Sequence, residues 1–81
     1  MKRKEIETLM KKAGVKYITL VFNREDPLGM LCQLEGGVLV DCLDGKRVPI
    51  KQEIWGILTY EKGVPVRYPI EEKINEVLLC K

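Results

Sequence analysis

The stretch LGMLCQLEGGVLVDCL, residues 28–43, predicts a β-hairpin and decides the fold class. Two apolar runs flank Gly36 and Gly37, and paired glycines adopt the positive φ angles that a tight hairpin turn requires. We therefore predict two adjacent antiparallel strands here, at the centre of a mainly β domain.

Further strands are predicted on both sides of this hairpin. KYITLVFN (16–23) is a run of β-branched and aromatic residues with two distinct faces, as a strand requires. Asp44 and Gly45 mark a second tight turn, which leads into KRVPIKQ (46–52) and then IWGILTY (54–60). We predict both as strands, and the proline in KRVPIKQ places that strand at an edge or a bend.

A helix is predicted at each end of the chain. Residues 3–13 form an amphipathic helix that Gly14 ends, because their apolar residues recur at helical spacing: Ile6, Leu9, Met10 and Ala13. VPVRYPI (64–70) carries two prolines and is predicted as a further edge strand or an irregular arm. A short helix follows in EEKINEVLLCK (71–81).

The predicted order is therefore a helix, five sequential strands, an arm and a short helix. Five short strands in 81 residues favour a strongly bent antiparallel sheet closed into a small barrel, because closure removes exposed edges. We predict one mainly β (α+β) domain, 1–81, of the SH3-like, OB or Sm-like type. It divides into a basic helix (1–14), the barrel (15–61) and the C-terminal arm with its helix (62–81).

Several function classes are disfavoured by what the chain lacks. It has no histidine and no serine, so the commonest general base, the serine nucleophile and imidazole metal ligands are missing. Cys32, Cys42 and Cys80 are odd in number and form no C-x-x-C pair, which disfavours a disulfide framework or a zinc site. Because they sit among Leu and Val, we expect free cysteines that behave as small hydrophobes. We expect no enzyme activity, no metal and no cofactor. No apolar run approaches the roughly 20 residues that span a bilayer, and we expect a cytoplasmic protein without membrane contact.

The charge distribution is uneven along the chain. Residues 1–16 carry six Lys or Arg against two Glu, whereas residues 17–81 carry eight against ten acidic residues. A basic segment on a slightly acidic body points to a polyanionic partner. A solvated helix face is the alternative explanation.

Two segments within residues 8–58 resemble the Sm-like fold, and within it the bacterial Hfq branch. GMLCQLEGGVLV is similar to the family's first motif, since Gly29 and Leu31 match and Glu35 stands for the acid. VPIKQEI is similar to the second region, in which Lys51 matches a lysine and Gln52 replaces a histidine.

This resemblance implies a ring of six or seven subunits that binds RNA through a pore-side Lys-Gln pair and a basic rim. The residues it implies for RNA contact are Lys11, Lys12, Lys51 and Gln52, and the basic N-terminal segment adds Arg3 and Lys4 as candidate phosphate contacts. The family's base-stacking and base-reading positions are not matched, because they hold Thr19, Leu39 and the glycine pair.

Two functions consequently stay open. The first is an Sm-like oligomeric RNA-binding protein, and the second is a small barrel that binds proteins or only itself. Lys51 and Gln52 are also explained as an outward-facing strand pair. Trp55 is interpreted as a core or interface residue, with base stacking as the alternative.

Overall fold

The structure, a computed structural model, describes residues 1–25 and 29–79, apart from the side chains of Val77 and Leu79. Within these residues the chain forms two helices and five strands. In chain order they are α1 (Arg3–Ala13), β1 (Tyr17–Val21), β2 (Met30–Glu35), β3 (Val38–Asp41), β4 (Gly56–Glu61), β5 (Val64–Pro69) and α2 (Ile70–Leu79).

The five strands form one open antiparallel sheet in the order β3-β2-β1-β4-β5. The prediction of a mainly β fold with an N-terminal helix, five antiparallel strands and a short C-terminal helix is confirmed. The prediction of a closed barrel is wrong, because β3 and β5 lie at opposite edges of the sheet.

The barrel prediction fails first at residues 46–52, which were expected to form a strand. Only an isolated bridge from Arg47 to Val40 remains of it. The backbone N–H of Gln52 donates to the carbonyl of Pro49 at 3.0 Å and closes a turn over residues 49–52. The chain then enters the sheet at Gly56, beside β1 rather than beside β3.

The barrel prediction fails also at residues 64–69, which form the edge strand β5. An edge strand was one of the two predictions for this segment, and an irregular arm was the other. The N–H of Ile70 donates to the carbonyl of Trp55 at 2.9 Å. Because backbone groups alternate in direction along an antiparallel strand, Pro65, Arg67 and Pro69 direct theirs away from β4. Two of these three residues have no N–H, so this edge is a poor template for another strand.

The opposite edge of the sheet is covered by its own chain. The N–H of Asp41 donates to Lys46 at 2.8 Å, and that of Val48 donates to Leu39 at 3.0 Å. Unpaired strand edges would give a physical reason for assembly, but both edges of this sheet are obstructed. The ring of six or seven subunits stays a prediction, without that reason behind it.

Helix α1 matches its predicted bounds because local signals define both of its ends. The Glu5 carboxylate accepts from the N–H of Lys2, which satisfies one of the free donors at the start of the helix. Gly14 adopts the left-handed conformation (φ 73°), and its N–H returns to the last turn.

Both helices pack on the same face of the sheet, which we call the helix face; the other is the open face. Residues that pair across strands share a face, so Ile18 lies with Cys32, and Leu20 lies with Ile57. The helix face holds the main core, whose buried members are Ile6, Met10, Ile18, Leu20, Cys32, Leu39, Val48, Ile54, Ile57, Ile70, Ile74 and Leu78.

A buried ionic contact fastens α1 to the sheet. The Glu7 carboxylate accepts from the N–H of Leu39 at 2.8 Å, and the Arg3 guanidinium donates through Nη1 to the carbonyl of Val48 at 2.9 Å. Arg3 Nε also lies 2.9 Å from Glu7 Oε2. Its N–H is not directed at that oxygen, so this contact is ionic rather than a hydrogen bond.

The cysteine prediction holds at one of the two described positions. Cys32 is buried on the helix face and behaves as a small hydrophobe, whereas Cys42 is exposed in the turn after β3. Cys80 lies outside the described residues. Neither of the two helices is long and apolar enough to cross a membrane, as far as the described residues go.

Candidate nucleic-acid interface

Two tyrosines stand on the open face of the sheet. Tyr17 begins β1 and is 53% exposed, and Tyr60 lies near the end of β4 and is 70% exposed. The β1–β4 register pairs Leu20 with Ile57 and Val21 with Gly56, and strand alternation from these pairs puts Tyr17 and Tyr60 on the same face of the sheet. Leu31 adds an apolar neighbour on β2, 49% exposed and directly across from Thr19.

Arginines lie at the two edges of this open face. Arg67 pairs with Leu58 on β5, and Arg47 is bridged to Val40 on β3. An acidic residue, Glu35, also lies on this face, where it pairs with Val38 near the β2–β3 turn. Aromatic rings between cations match what a single-stranded nucleic acid binds, since bases stack on the rings and phosphates meet the cations.

A groove of about 520 Å³ lies at the far end of the sheet from the two tyrosines. It forms where β1 and β5 end and β4 begins, and Arg24, Trp55, Arg67 and Pro69 line it. Five residues of β1 separate the two ends, which corresponds to about 13 Å of strand. A strand of a few nucleotides could contact both.

The backbone around Trp55 is held on both sides. Its N–H donates to the carbonyl of Val21 at 2.9 Å, and its own carbonyl accepts from Ile70 at the same distance. The side chain is partly exposed and borders the groove, so it is neither a fully buried core residue nor free in solvent. The sequence interpreted Trp55 as a core or interface residue, with base stacking as the alternative, and this partly exposed position is compatible with an interface or a stacking role.

Gly56 explains why β4 and β5 approach so closely beside this groove. A Cβ on Gly56 would stand 2.0 Å from the carbonyl oxygen of Tyr68, which no side chain tolerates. The glycine therefore lets Pro69 and Trp55 come together as groove walls.

The structure separates the six residues that the sequence proposed for RNA contact. Arg3 is largely buried and bound to Glu7 and Val48, so its charge is already compensated. Lys4 is exposed one residue later on α1, and Lys51 is exposed in the turn over residues 49–52. An antiparallel bridge between Lys2 and Glu53 brings that turn to the start of α1.

Gln52 is half-buried, and its side-chain amide donates to the carbonyl of Glu53 at 3.1 Å. The pair therefore occupies a turn and the residue that closes it, rather than the outward face of a strand. Lys51 and Gln52 were predicted to lie on a strand over residues 46–52. That prediction is wrong, because Pro49 begins a turn there.

Lys11 and Lys12 lie at the other end of α1. Both are exposed, and the Lys11 side chain reaches over the β2–β3 turn, where a Cβ on Gly37 would stand 2.9 Å from its Nζ. Since α1 packs on the helix face, these lysines lie on the opposite side of the sheet from Tyr17 and Tyr60. One ligand strand on the open face would not reach both sets.

Sequence reasoning missed the tyrosines and arginines of the open face. Strand alternation did separate Tyr17 from Ile18, but no local signal says which strand face a helix will cover. Arg24, Trp55 and Arg67 are far apart in sequence and meet only through the antiparallel pairing of three strands.

In a second polar cluster, at the start of α2, the side chains contact one another. Tyr68 donates a hydrogen bond to the Glu61 carboxylate, which raises the pKa of the Tyr68 hydroxyl. Lys73 Nζ lies 4.3 Å from the Tyr68 ring centroid and 3.2 Å from Glu76 Oε2. The described part of the chain holds no group of three or more Cys, Asp or Glu side chains placed for a metal ion.

The open face and its groove thus have the chemistry of a surface for aromatic, negatively charged ligands. Comparison with other proteins adds no family to this geometry: no family model matches the chain, and no curated protein or solved structure is significantly similar to it.

Proposed function

We propose that this protein binds single-stranded RNA across the open face of its sheet. The observation that carries the proposal is the pair of exposed tyrosines, Tyr17 and Tyr60, set between Arg67 and Arg47 on a face without helical cover. Exposed aromatic side chains on a sheet offer a stacking platform that every base can use.

The strand would follow β1 from the tyrosines toward the groove. Tyr17 and Tyr60 would stack bases, Leu31 would contact a base or ribose edge, and the arginines would meet phosphates. Lys16 adds a further cation at the tyrosine end, with its Nζ 5.8 Å from the Tyr17 ring centroid. This surface replaces the pore-side pair and basic rim as the preferred contact set.

Fluorescence anisotropy with a short, internally labelled, unphosphorylated RNA at low salt tests the proposal. We expect binding that weakens linearly in log–log form as salt rises. Tyr17→Ala and Tyr60→Ala should each weaken binding by about 1–3 kcal/mol, or roughly 5- to 150-fold in Kd. Tyr60→Phe should retain most of the affinity, because stacking requires the ring and not the hydroxyl.

The third tyrosine of the chain provides the matched control. Tyr68 lies on the other side of the sheet, opposite Ile57 and beside Lys73, so Tyr68→Ala should leave the RNA affinity unchanged. Circular dichroism confirms that each variant is folded. Equal affinities of the wild type, Tyr17→Ala and Tyr60→Ala would contradict the proposal.

Lys51→Ala tests the rim and pore contacts that the Sm-like resemblance implies. On the proposed surface this change should have little effect, because the Lys51 turn adjoins the start of α1. A loss of affinity as large as that of the tyrosine variants would favour the resemblance instead.

Self-association is the second candidate, and the exposure of Leu31 favours it. An apolar side chain that is 49% exposed on the same face as two tyrosines is also suited to contact a second copy. Light scattering distinguishes the two functions: a monomer that binds RNA supports the first, whereas an oligomer that Leu31→Lys dissociates, without RNA affinity, supports the second.

A further inference from the structure

We infer that the groove lined by Arg24, Trp55 and Arg67 binds the terminal nucleotide of an RNA strand through its phosphomonoester. This inference rests on the proposed function and goes further, because it assigns the strand end to one site. The base would stack on Trp55, and the terminal phosphate would lie between the two guanidinium groups.

The two arginines favour a terminal phosphate over an internal one. A phosphomonoester carries about −1.5 to −2 charges near neutral pH, as in a phosphorylated side chain, whereas an internal phosphodiester carries one. Guanidinium groups bind phosphate oxygens in paired, charge-assisted hydrogen bonds. Arg24 and Arg67 both line this groove, and Arg24 is exposed.

A hydrogen bond also joins two of the segments that form the groove. Arg67 Nη1 donates to the carbonyl of Arg24 at 2.7 Å, which ties β5 to the segment after β1. Since the backbone of Trp55 is hydrogen-bonded on both sides, the stacking surface needs little ordering when a base binds.

Past Trp55 the surface becomes unfavourable for a continuing phosphate backbone. A second cavity of about 270 Å³ begins there, and Glu53 and Glu71 line it. The Met1 amine lies 2.9 Å from Glu53 Oε1 and compensates one of these carboxylates. Glu71, exposed in the first turn of α2, would repel the next phosphate. The nucleotide at Trp55 is therefore best explained as the last of its strand.

Tryptophan fluorescence gives a direct measurement, since Trp55 is the only tryptophan of the chain. We would titrate the protein with adenosine, adenosine 5′-monophosphate and adenosine 3′-monophosphate, and then with a short RNA carrying a 5′-phosphate, a 3′-phosphate or neither. We expect quenching by the nucleotides, and one phosphorylated RNA end that binds about tenfold or more tightly than the unphosphorylated strand. The better end identifies the source of the phosphate.

Arg24→Gln should weaken the binding of the phosphorylated RNA end more than that of unphosphorylated RNA, and so remove this preference. Arg24 is exposed, so its variant should fold, whereas Arg67→Gln also removes a tertiary contact and serves as the second variant. Arg47→Gln, at the opposite edge of the open face, is the matched control and should keep the preference.

The outcomes separate the inference from the proposed function. RNA binding through the tyrosines with equal affinity for all three strand ends overturns the inference alone. Quenching by the monophosphates that depends on Arg24, without RNA binding, supports the groove and overturns the proposed function. No response to any of these ligands overturns both.

Discussion

Leu20 on β1 is fully buried under the two helices, whereas Leu31 on the neighbouring strand β2 keeps 49% of its surface exposed. The two leucines occupy adjacent strands of one sheet but opposite faces of it. One-sided burial is common in antiparallel sheets, because only one face needs to pack against helices. Burial here is not wholly one-sided, since Val21 and Leu58 are buried on the open face. The helix face nevertheless holds the main core, and the open face keeps exposed side chains that a ligand can reach.

Substitution of these two leucines by alanine gives the largest expected difference between the faces. Leu20→Ala should lower the free energy of unfolding by about 2–5 kcal/mol, because it leaves a cavity in the core. Leu31→Ala should cost less than about 1 kcal/mol, since half of its side chain already contacts water. Urea denaturation followed by circular dichroism measures both values. Equal losses would mean that the open face is covered in solution.

The buried carboxylate of Glu7 gives the next largest effect. Glu7→Ala removes the acceptor for the N–H of Leu39 and the partner of Arg3, and should cost about 3 kcal/mol. Glu7→Gln keeps an acceptor oxygen and should cost less. The control is Glu35→Ala on the open face, where the carboxylate is exposed and a change within about 0.5 kcal/mol is expected. An equal loss for both alanine variants, measured by the same denaturation, would contradict the anchoring role of Glu7.

The two described cysteines give the smallest effect on stability but a clear chemical difference. Burial raises the pKa of the Cys32 thiol to about 12, with the Asp41 carboxylate and Cys42 adding to the shift. The thiolate is the form that reacts, so iodoacetamide should label Cys42 quickly and Cys32 only after unfolding. Peptide mass spectrometry distinguishes the two sites. Rapid labelling of Cys32 near neutral pH would contradict the buried position.

The sign of the accompanying pH effect follows from the raised pKa of Cys32. In the unfolded chain its thiol ionises near its ordinary pKa of 9.0, whereas in the folded protein it stays protonated until about pH 12. The unfolded state therefore loses its proton first, and stability should fall as pH rises from about 9 to 12. Cys32→Ala should weaken this dependence in denaturation curves measured across that window.

Much of the local structure could be predicted from the sequence. The apolar stripe and Gly14 gave the bounds of α1 correctly, and Gly36 and Gly37 form the hairpin turn with φ angles of 58° and 83°. Such signals act through neighbouring residues, so they do not depend on the rest of the fold. Such signals did not identify the fifth strand: residues 46–52 were predicted as a strand but end in a turn, whereas residues 64–69 form β5. Alternating apolar residues with prolines fit a turn and an edge strand equally well.

The candidate site was much less predictable. Arg3 was proposed as a ligand residue because it is basic, yet its charge is used against Glu7 inside the fold. Trp55 could be narrowed only to packing or stacking. Whether a side chain packs in the fold or faces a ligand depends on partners that are far away in sequence, and composition does not identify those partners.

By itself, then, the sequence determined the elements: an amphipathic helix at the start, a glycine-paired hairpin, and a mainly β chain with a helix at its end. Only the tertiary structure decided that the sheet stays open, because prolines obstruct β5 and residues 46–48 cover β3. It also decided which face the helices cover, and so left Tyr17 and Tyr60 in solvent and brought Trp55 and two arginines to one groove. Local signals act over a few residues, whereas face and closure depend on contacts between strands that are distant in the chain.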